Sequence, residues 1–295
     1  MPRRVLLLIN RAKPEVVDAL PEVRALIAKG GGVVALEQDT RVDQTPPPAE
    51  GAELVVVLGG DGTLITQAAR CMPLGLPMLG VNLGKVGFLA EFDLDALRAQ
   101  ARALFNGSEP LQLGERALIE ARVERPGAPG GRAILALNDC VVTAGPPYRM
   151  VAIGLSIDGQ PGPTIQGDGV IVCTPLGSTA YNASAGGPII APEVRALAVT
   201  PIAAHSLAFR PVVVAGSSTI TLSMERVNDA EGVDGDAGTT LVVDGQLQGR
   251  LRRGDRLVLR LHERPVRLVR NPRGNYWSTL VQKLRWAAPP AARHG

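Results

Sequence analysis

In Gly59-Gly60-Asp61-Gly62-Thr63 one carboxylate stands among three glycines. The apolar run Leu54–Leu58 precedes it and a helical pattern follows, to Met72. Glycines at the end of a buried strand let a phosphate approach main-chain N–H groups, and the first turn of a following helix offers free N–H groups of its own. Gly59, Gly60, Gly62 and Thr63 are therefore candidate phosphate-binding residues, and Asp61 carries the wrong sign for that task. The loop has neither the GxxxxGK[ST] spacing with its lysine nor GxGxxG. A plain strand-to-helix turn, capped by Asp61 or Thr63, would use the same residues.

Three further stretches place polar or small residues where chemistry could use them. Asn82 to Phe92, NLGKVGFLAEF, again follows an expected strand. Asn138 and Asp139 interrupt the apolar run ALNDCVV, and such a pair needs hydrogen-bond partners or marks a bulge or turn. Gly167 to Ile190, GDGVIVCTPLGSTAYNASAGGPII, concentrates small residues and hydroxyls between Gly177 and Gly187. Such a segment brings main-chain amides close to a ligand, while Ser178, Thr179 and Ser184 offer directional hydrogen bonds.

The elements around these stretches fall into two classes. Up to Gly107, apolar runs (VLLLIN, GVVALEQ, ELVVVLGG, PMLGVNL) alternate with helical periods (KPEVVDALPEVRALIAKGG, LITQAARCM, DLDALRAQARALFNG). Asp93 or Asp95 starts the last helix and Gly107 stops it. Continuous Val/Leu strands between helices predict a Rossmann-like α/β domain with a parallel sheet covered on both faces. From Leu111 to about Arg270 the period becomes two, with Asp158-Gly159 and Asp244-Gly245 where tight hairpins belong, and this predicts a β-rich domain. Its expected strands include single ones across AILALNDCVV, VIVCTP and FRPVVVAG. Val227 to Gly238 reads as a polar, glycine-rich loop. The tail NYWSTLVQKLRW returns to helical spacing and is expected to pack back on the first domain, before a frayed AAPPAARHG. The division is thus residues 1–107 with a C-terminal helix at 275–287, and 108–274.

Composition narrows the function classes. The 295 residues are 45% hydrophobic and carry a net charge of +3, which fits a soluble two-domain protein. No apolar run reaches the roughly 18 residues of a membrane span, and the N-terminus lacks a cleavage site, so neither a membrane nor secretion is expected. Cys71, Cys140 and Cys173 form no CxxC pair and His205, His262 and His294 do not cluster, which gives no disulfide framework or zinc site and fits a reducing cytoplasm. The Arg-dense run Gly249–Gly274 alternates with Leu and Val, as a solvated strand face does, so no nucleic-acid partner is expected.

Taken in order, these motifs resemble the NAD kinases. The resemblance covers GGDGT at Gly59–Thr63, NxGxxGFL at Asn82–Leu89 and the Asn-acid pair Asn138-Asp139. It continues through DG…TPxGSTAYxxSAGGP across Asp168–Pro188, HSLAFRPVVV at His205–Val214, DGQ at Asp244–Gln246 and the closing LVQKLRW. GGDGT alone is shared with diacylglycerol, sphingosine and 6-phosphofructo-kinases, and the TPxGSTAY block narrows the choice. A catalytically silent NAD-binding regulator is the alternative of another class, and the intact Asp61 speaks against it.

The resemblance implies transfer of the γ-phosphoryl of ATP, or of polyphosphate in some members, to the 2′-hydroxyl of the adenosine ribose of NAD. ATP and NAD would be the substrates, with a nucleotide-borne divalent ion, Mg²⁺, and no dedicated metal site. It implies that Asp61 accepts the hydroxyl proton and that Gly62 lies beside the NAD. Asn138, Asp139, Arg149, Asp168, Leu176, Thr179, Ala180, Tyr181, Asn182, Ala183, Ser184 and Gln246 would contribute to NAD binding. It also implies a homo-oligomer, dimer or tetramer, with the NAD site near a subunit interface. Three positions depart from the family pattern: Asp139 stands for the usual Glu, Leu176 for a common Thr, and Gln166 for a basic residue.

Overall fold

The computed structural model describes residues 1–41, 51–84, 87–128, 130–229 and 238–285. The chain forms two compact units, Met1–Gly114 with Val266–Gly295, and Glu115–Pro265.

The first unit opens with β1 (Arg4–Ile9), α1 (Pro14–Lys29), β2 (Val33–Asp39), β3 (Leu54–Leu58), α2 (Asp61–Cys71), β4 (Met78–Val81) and α3 (Leu94–Phe105). Its sheet has the order β2-β1-β3-β4, continued by β18 (Val266–Val269) and β5 (Leu113–Arg116). The pairs β1/β2, β1/β3, β3/β4 and β4/β18 are parallel. The Val/Leu runs are continuous because both faces are buried. Val5, Leu7, Ile9, Val56 and Leu58 pack with Val16 and Ile27 of α1 and Leu97 and Phe105 of α3. The alternate residues Leu6, Leu8, Val55 and Val57 point the other way and are equally buried. Leu64 of α2 lies against Gly80 of β4 on that second face. Asp93, rather than Asp95, caps α3, its side chain accepting from the Ala96 N–H at 2.7 Å.

The last helix of the first unit, α5 (Tyr276–Leu284), buries Leu280 completely and sets Tyr276 6.0 Å from the Phe88 ring, with Lys283 5.6 Å above that ring. The tail therefore does pack on the first unit. Residues 286–295, with the end of the expected helix and the expected frayed terminus, lie outside the described residues.

The second unit is a two-sheet antiparallel sandwich. Its strands are β6 (Ile119–Glu124), β7 (Ile134–Ala136), β8 (Asp139–Thr143), β9 (Val151–Ile157), β10 (Gln160–Gly167), β11 (Gly169–Cys173), β12 (Ala196–Ile202), β13 (Val212–Ala215), β14 (Ile220–Arg226), β15 (Thr240–Val243), β16 (Gln246–Arg250) and β17 (Arg256–Leu261). A short α-helix, α4 (Tyr181–Ser184), lies between β11 and β12. One sheet runs β10-β9-β14-β17-β6-β7 and the other β13-β12-β11-β8-β15-β16. Ile119, Ile153, Leu222 and Leu257 of the first sheet meet Val142, Val172, Leu197 and Val199 of the second in one core. The second sheet is also covered on its outer face, where Val141, Ile171, Cys173 and Ala198 pack with Ile190. Both tight hairpins form: Asp158 and Gly159 have φ of 52° and 76°, Asp244 and Gly245 of 48° and 77°. Positive φ at both central residues makes a type I′ turn.

Two expectations need correction. AILALNDCVV is not one strand but two, β7 and β8, in different sheets, because the chain crosses from sheet to sheet at Leu137-Asn138. The second unit ends at Pro265 rather than residue 274, and begins at Glu115 rather than 108, because β18 completes the parallel sheet of the first unit. β10, with two prolines and low β propensity, is a strand as well; among the described residues it pairs only with β9, and an edge tolerates proline. The arginine alternation holds in β17, where Leu257, Leu259 and Leu261 are buried while Arg256 and Arg260 reach Glu124 and Glu120 at 3.4 and 3.0 Å. The loop expected at Val227–Gly238 lies mostly outside the described residues.

Candidate active site

The GGDGT turn sits at the carboxyl end of β3, where open parallel sheets bind ligands. Neither Asp61 nor Thr63 caps α2. Gly60 is the N-cap and has no side chain with which to cap the first turn. Thr63 Oγ1 instead accepts from Asn10 Nδ2 at 3.0 Å, tying the turn to the end of β1. Gly59 has to be glycine, since a Cβ there would lie 2.6 Å from Thr63 Oγ1. Among the described residues nothing lies within 4 Å of where a Gly62 Cβ would stand, so that side of the turn is open to them.

The Asp61 carboxylate is held by the NxGxxGFL loop. Oδ2 accepts the Phe88 N–H at 2.7 Å, and Oδ1 accepts those of Leu89 at 3.3 Å and Ala90 at 3.0 Å. A carboxylate has about four acceptor positions, so the three N–H donors found among the described residues orient it and leave one, on Oδ2, for a further partner. Gly87 makes this approach feasible: a Cβ there would lie 1.8 Å from Asp61 Oδ1. The Tyr276 ring of α5 braces Phe88, the residue whose N–H makes the shortest of the three bonds.

The second unit contains a similar clamp. The carboxylate of Asp244 accepts the N–H groups of Leu137 at 2.7 Å, Asn138 at 2.7 Å and Asp139 at 3.1 Å. These are the residues at which the chain crosses between sheets, so the clamp fixes where Asn138 and Asp139 emerge. The Asn138 carbonyl accepts the Thr174 N–H at 2.9 Å, and Thr174 Oγ1 donates to the Leu137 carbonyl at 2.6 Å. Gly177 follows in close contact; a Cβ there would lie 2.2 Å from the Asn138 oxygen. TPLG is thus seated directly on the Asn-Asp pair. Asp139 is 5% exposed. Burial, and then the charge of Asp244, push its carboxyl up from the ordinary 3.8 to about 7. Asp244 is also raised, by burial, against the opposing pull of its three N–H donors.

The hydroxyl-rich segment is used differently from the expectation. Ser178 is fully buried: its Oγ donates to the Pro175 carbonyl at 2.5 Å and accepts the Ile190 N–H at 2.9 Å. Thr179 Oγ1 donates back to the Leu176 carbonyl at 3.2 Å. Asn182, expected among the NAD contacts, has its amide committed inside the protein. Nδ2 donates to the carbonyls of Ser178 and Pro188 at 3.2 and 3.0 Å, and Oδ1 accepts from Thr200 Oγ1 at 2.6 Å. These side chains fold the segment over the outer face of the sheet; Tyr181 and Ser184 remain exposed on it, and Leu176 is buried. Ala180 and Ala183 are half-buried.

The other candidates of this unit lie on its surface. Arg149, Asp168 and Gln246 are exposed. Asp168 sits between β10 and β11, its N–H bonded to the Ile202 carbonyl at 2.9 Å. The loop bearing Arg149 is held by Asn228, whose Nδ2 reaches the carbonyls of Ala144, Gly145 and Arg149. Asn10, Gly87, Asn228 and the role of Asp244 were not read from sequence; only Asp244 and Gly87 left a signal there, each inside a motif. Among the described residues no group of three or more His, Cys, Asp or Glu side chains is placed to hold a metal ion, and no helix is long and apolar enough to cross a membrane.

Comparison with known proteins agrees in both units. The ATP-NAD kinase N-terminal domain family matches residues 10–109 and the ATP-NAD kinase C-terminal domain family residues 137–271. NAD kinase of Geotalea daltonii is 39% identical over 238 residues, 80% of either chain. NAD kinase of Koribacter versatilis is 34% identical over 292 residues, 96% of this chain and 98% of the relative. Among solved structures, yeast NADH kinase complexed with NADH superposes with a TM-score of 0.80 at 22% identity, covering 99% of this chain and 90% of the other. An NAD kinase from Archaeoglobus fulgidus in complex with ATP gives 0.70 at 23% identity, covering 96% and 98%. The last two likenesses concern the fold.

Proposed function

The chain belongs to the NAD kinase family, enzymes that phosphorylate NAD to NADP, and on that premise we propose that Asp61 receives the proton of the attacking hydroxyl. The observation that carries the proposal is the set of three N–H bonds from Phe88, Leu89 and Ala90, which hold the carboxylate in one orientation with one acceptor position left over. That position takes the 2′-hydroxyl of the adenosine ribose. As the hydroxyl oxygen bonds to the γ-phosphorus, the bond from that phosphorus to its bridging oxygen breaks, ADP leaves and the proton passes to Asp61. The transition state is loose, so positioning and charge neutralisation weigh more than basicity. A positioned carboxylate still contributes roughly 10²–10⁴-fold.

Gly59, Gly60, Gly62 and Thr63 form the phosphate cradle in this reading. The uncapped first turn of α2 and the open side of Gly62 support that assignment. Mg²⁺ would arrive with the nucleotide and screen phosphate charge. A nucleotide-borne ion needs only one or two protein carboxylates, and the cradle has the single acid Asp61. Asn138, Asp139, Arg149, Asp168, Leu176, Gln246 and the stretch from Thr179 to Ser184 supply the NAD contacts, Asn182 through its main chain only. The active form is a cytoplasmic homo-oligomer, dimer or tetramer, with the NAD site near a subunit interface; the motif resemblance supports this.

The test is phosphorus NMR of a mixture of the purified protein, ATP, Mg²⁺ and NAD. A 2′-phosphomonoester signal, matching NADP and absent without protein, is expected. Hydrolysis of ATP with no such signal would overturn the reading.

A further inference from the structure

Two carboxyl groups of the second unit share a buried site, and the main chain distinguishes them. Asp244 accepts three successive N–H groups, from Leu137, Asn138 and Asp139, and its own N–H donates to the Asp139 carbonyl at 3.0 Å. The Asp139 carboxyl meets no donor among the described residues; burial and the charge of Asp244 are what act on it. Among the described residues the other titratable groups near it are Cys173, its register partner on β11, and Cys140, its neighbour on β8 that points to the opposite sheet face, and neither brings a positive charge.

Two like charges in a dry site do not both ionise readily. Three N–H donors stabilise the carboxylate form of Asp244, since a protonated oxygen would turn a hydrogen toward them. The proton of the pair therefore resides on Asp139.

We propose that Asp244 is a positioning residue for NAD binding: it fixes the crossing at Leu137–Asp139 and keeps the Asp139 carboxyl protonated, so that Asp139 meets the dinucleotide as a neutral hydrogen-bond donor. This rests on the reading of Asp139 as an NAD contact. A neutral group also adds no repulsion toward the diphosphate of NAD. Because the free carboxyl loses its proton at about pH 7, NAD binding above that pH takes a proton up from solution.

Calorimetry of NAD binding to the full chain at about pH 8, in two buffers of different ionisation enthalpy, reads that proton. The wild type should take up close to one proton per NAD, and Asp139→Asn none. Asp244→Asn should take up clearly less, because Asp139 is no longer held neutral. The pH dependence of its KM for NAD should also move to another range, with kcat changed much less, and Asp244→Glu should restore part of the wild-type profile. Wild-type proton uptake in Asp244→Asn would overturn the role given to Asp244. Wild-type NAD affinity and uptake in Asp139→Asn would instead sink the NAD contact itself. Should Asp244→Asn not fold, carboxyl carbon NMR of the wild type decides: one aspartate titrating at about pH 7 and missing in Asp139→Asn supports the proposal, and every aspartate titrating in the ordinary range overturns it.

Discussion

Gly87→Ala attacks the reaction without touching a reacting group. A Cβ on residue 87 would stand 1.8 Å from Asp61 Oδ1, 2.2 Å from Cγ and 2.3 Å from Oδ2. The nearest tolerable approach is about 3.4 Å, so loop and carboxylate must part by roughly 1.5 Å. The N–H bonds at 2.7, 3.0 and 3.3 Å cannot all survive such a shift. Hydrogen bonds to a charged acceptor contribute about 1.5–3 kcal/mol each, and partial relaxation leaves an expected stability loss of about 2–4 kcal/mol. A displacement of about 1 Å at the acceptor of the proton costs on the order of 10²-fold in rate. The expected result is kcat reduced about 10²-fold, with the KM for NAD changed by less than about threefold, since uniform binding is untouched. Steady-state NADP formation and urea unfolding on the same preparation read both quantities. A folded Gly87→Ala with wild-type kcat would refute the idea that the loop sets the carboxylate.

Other substitutions separate scaffold from site. Asn182→Leu removes the three bonds that fold the hydroxyl-rich segment, and should lower unfolding free energy by about 2–4 kcal/mol in denaturant titrations; an unchanged midpoint with lost NAD affinity would make Asn182 a ligand contact after all. Stability of the ligand-free protein should fall as pH rises from about 4 to about 7, because over that window folded Asp139 keeps a proton the unfolded chain has released. The full effect is up to about 4 kcal/mol, and Asp139→Asn should flatten the curve of urea midpoint against pH. Phe88→Ala should lower both stability and kcat by removing the ring that Tyr276 of α5 meets, and an unaltered kcat would show that the brace does not reach Asp61.

Much of the frame is legible in local pattern. The continuous runs of β1, β3 and β4 and the helical periods of α1 and α3 announce a sheet covered on both faces, and Asp-Gly at 158 and 244 announces two I′ turns. Long-range partners are not legible this way. Nothing near Asp61 says that its carboxylate will accept N–H groups 27 to 29 residues away. β18 lies within an arginine-rich run that reads as part of the sandwich, yet it enters the parallel sheet beside β4. Asp244 reads as a turn residue, and its second task appears only once β15 is laid beside β8. Ser178 and Asn182 show the opposite limit: a hydroxyl or amide that could face a ligand is indistinguishable in sequence from one that folds the loop, until its partners are seen.

The central claim is that Asp61 is needed for proton transfer rather than for holding NAD. Asp61→Asn keeps the size of the side chain and at least one acceptor for the loop, while removing the proton acceptor. The direct measurement is kcat for NADP formation together with the calorimetric Kd for NAD in that one variant. The account predicts kcat lower by roughly 10²–10⁴-fold with Kd nearly unchanged. Near-wild-type turnover, or turnover and affinity lost in equal measure, would contradict it.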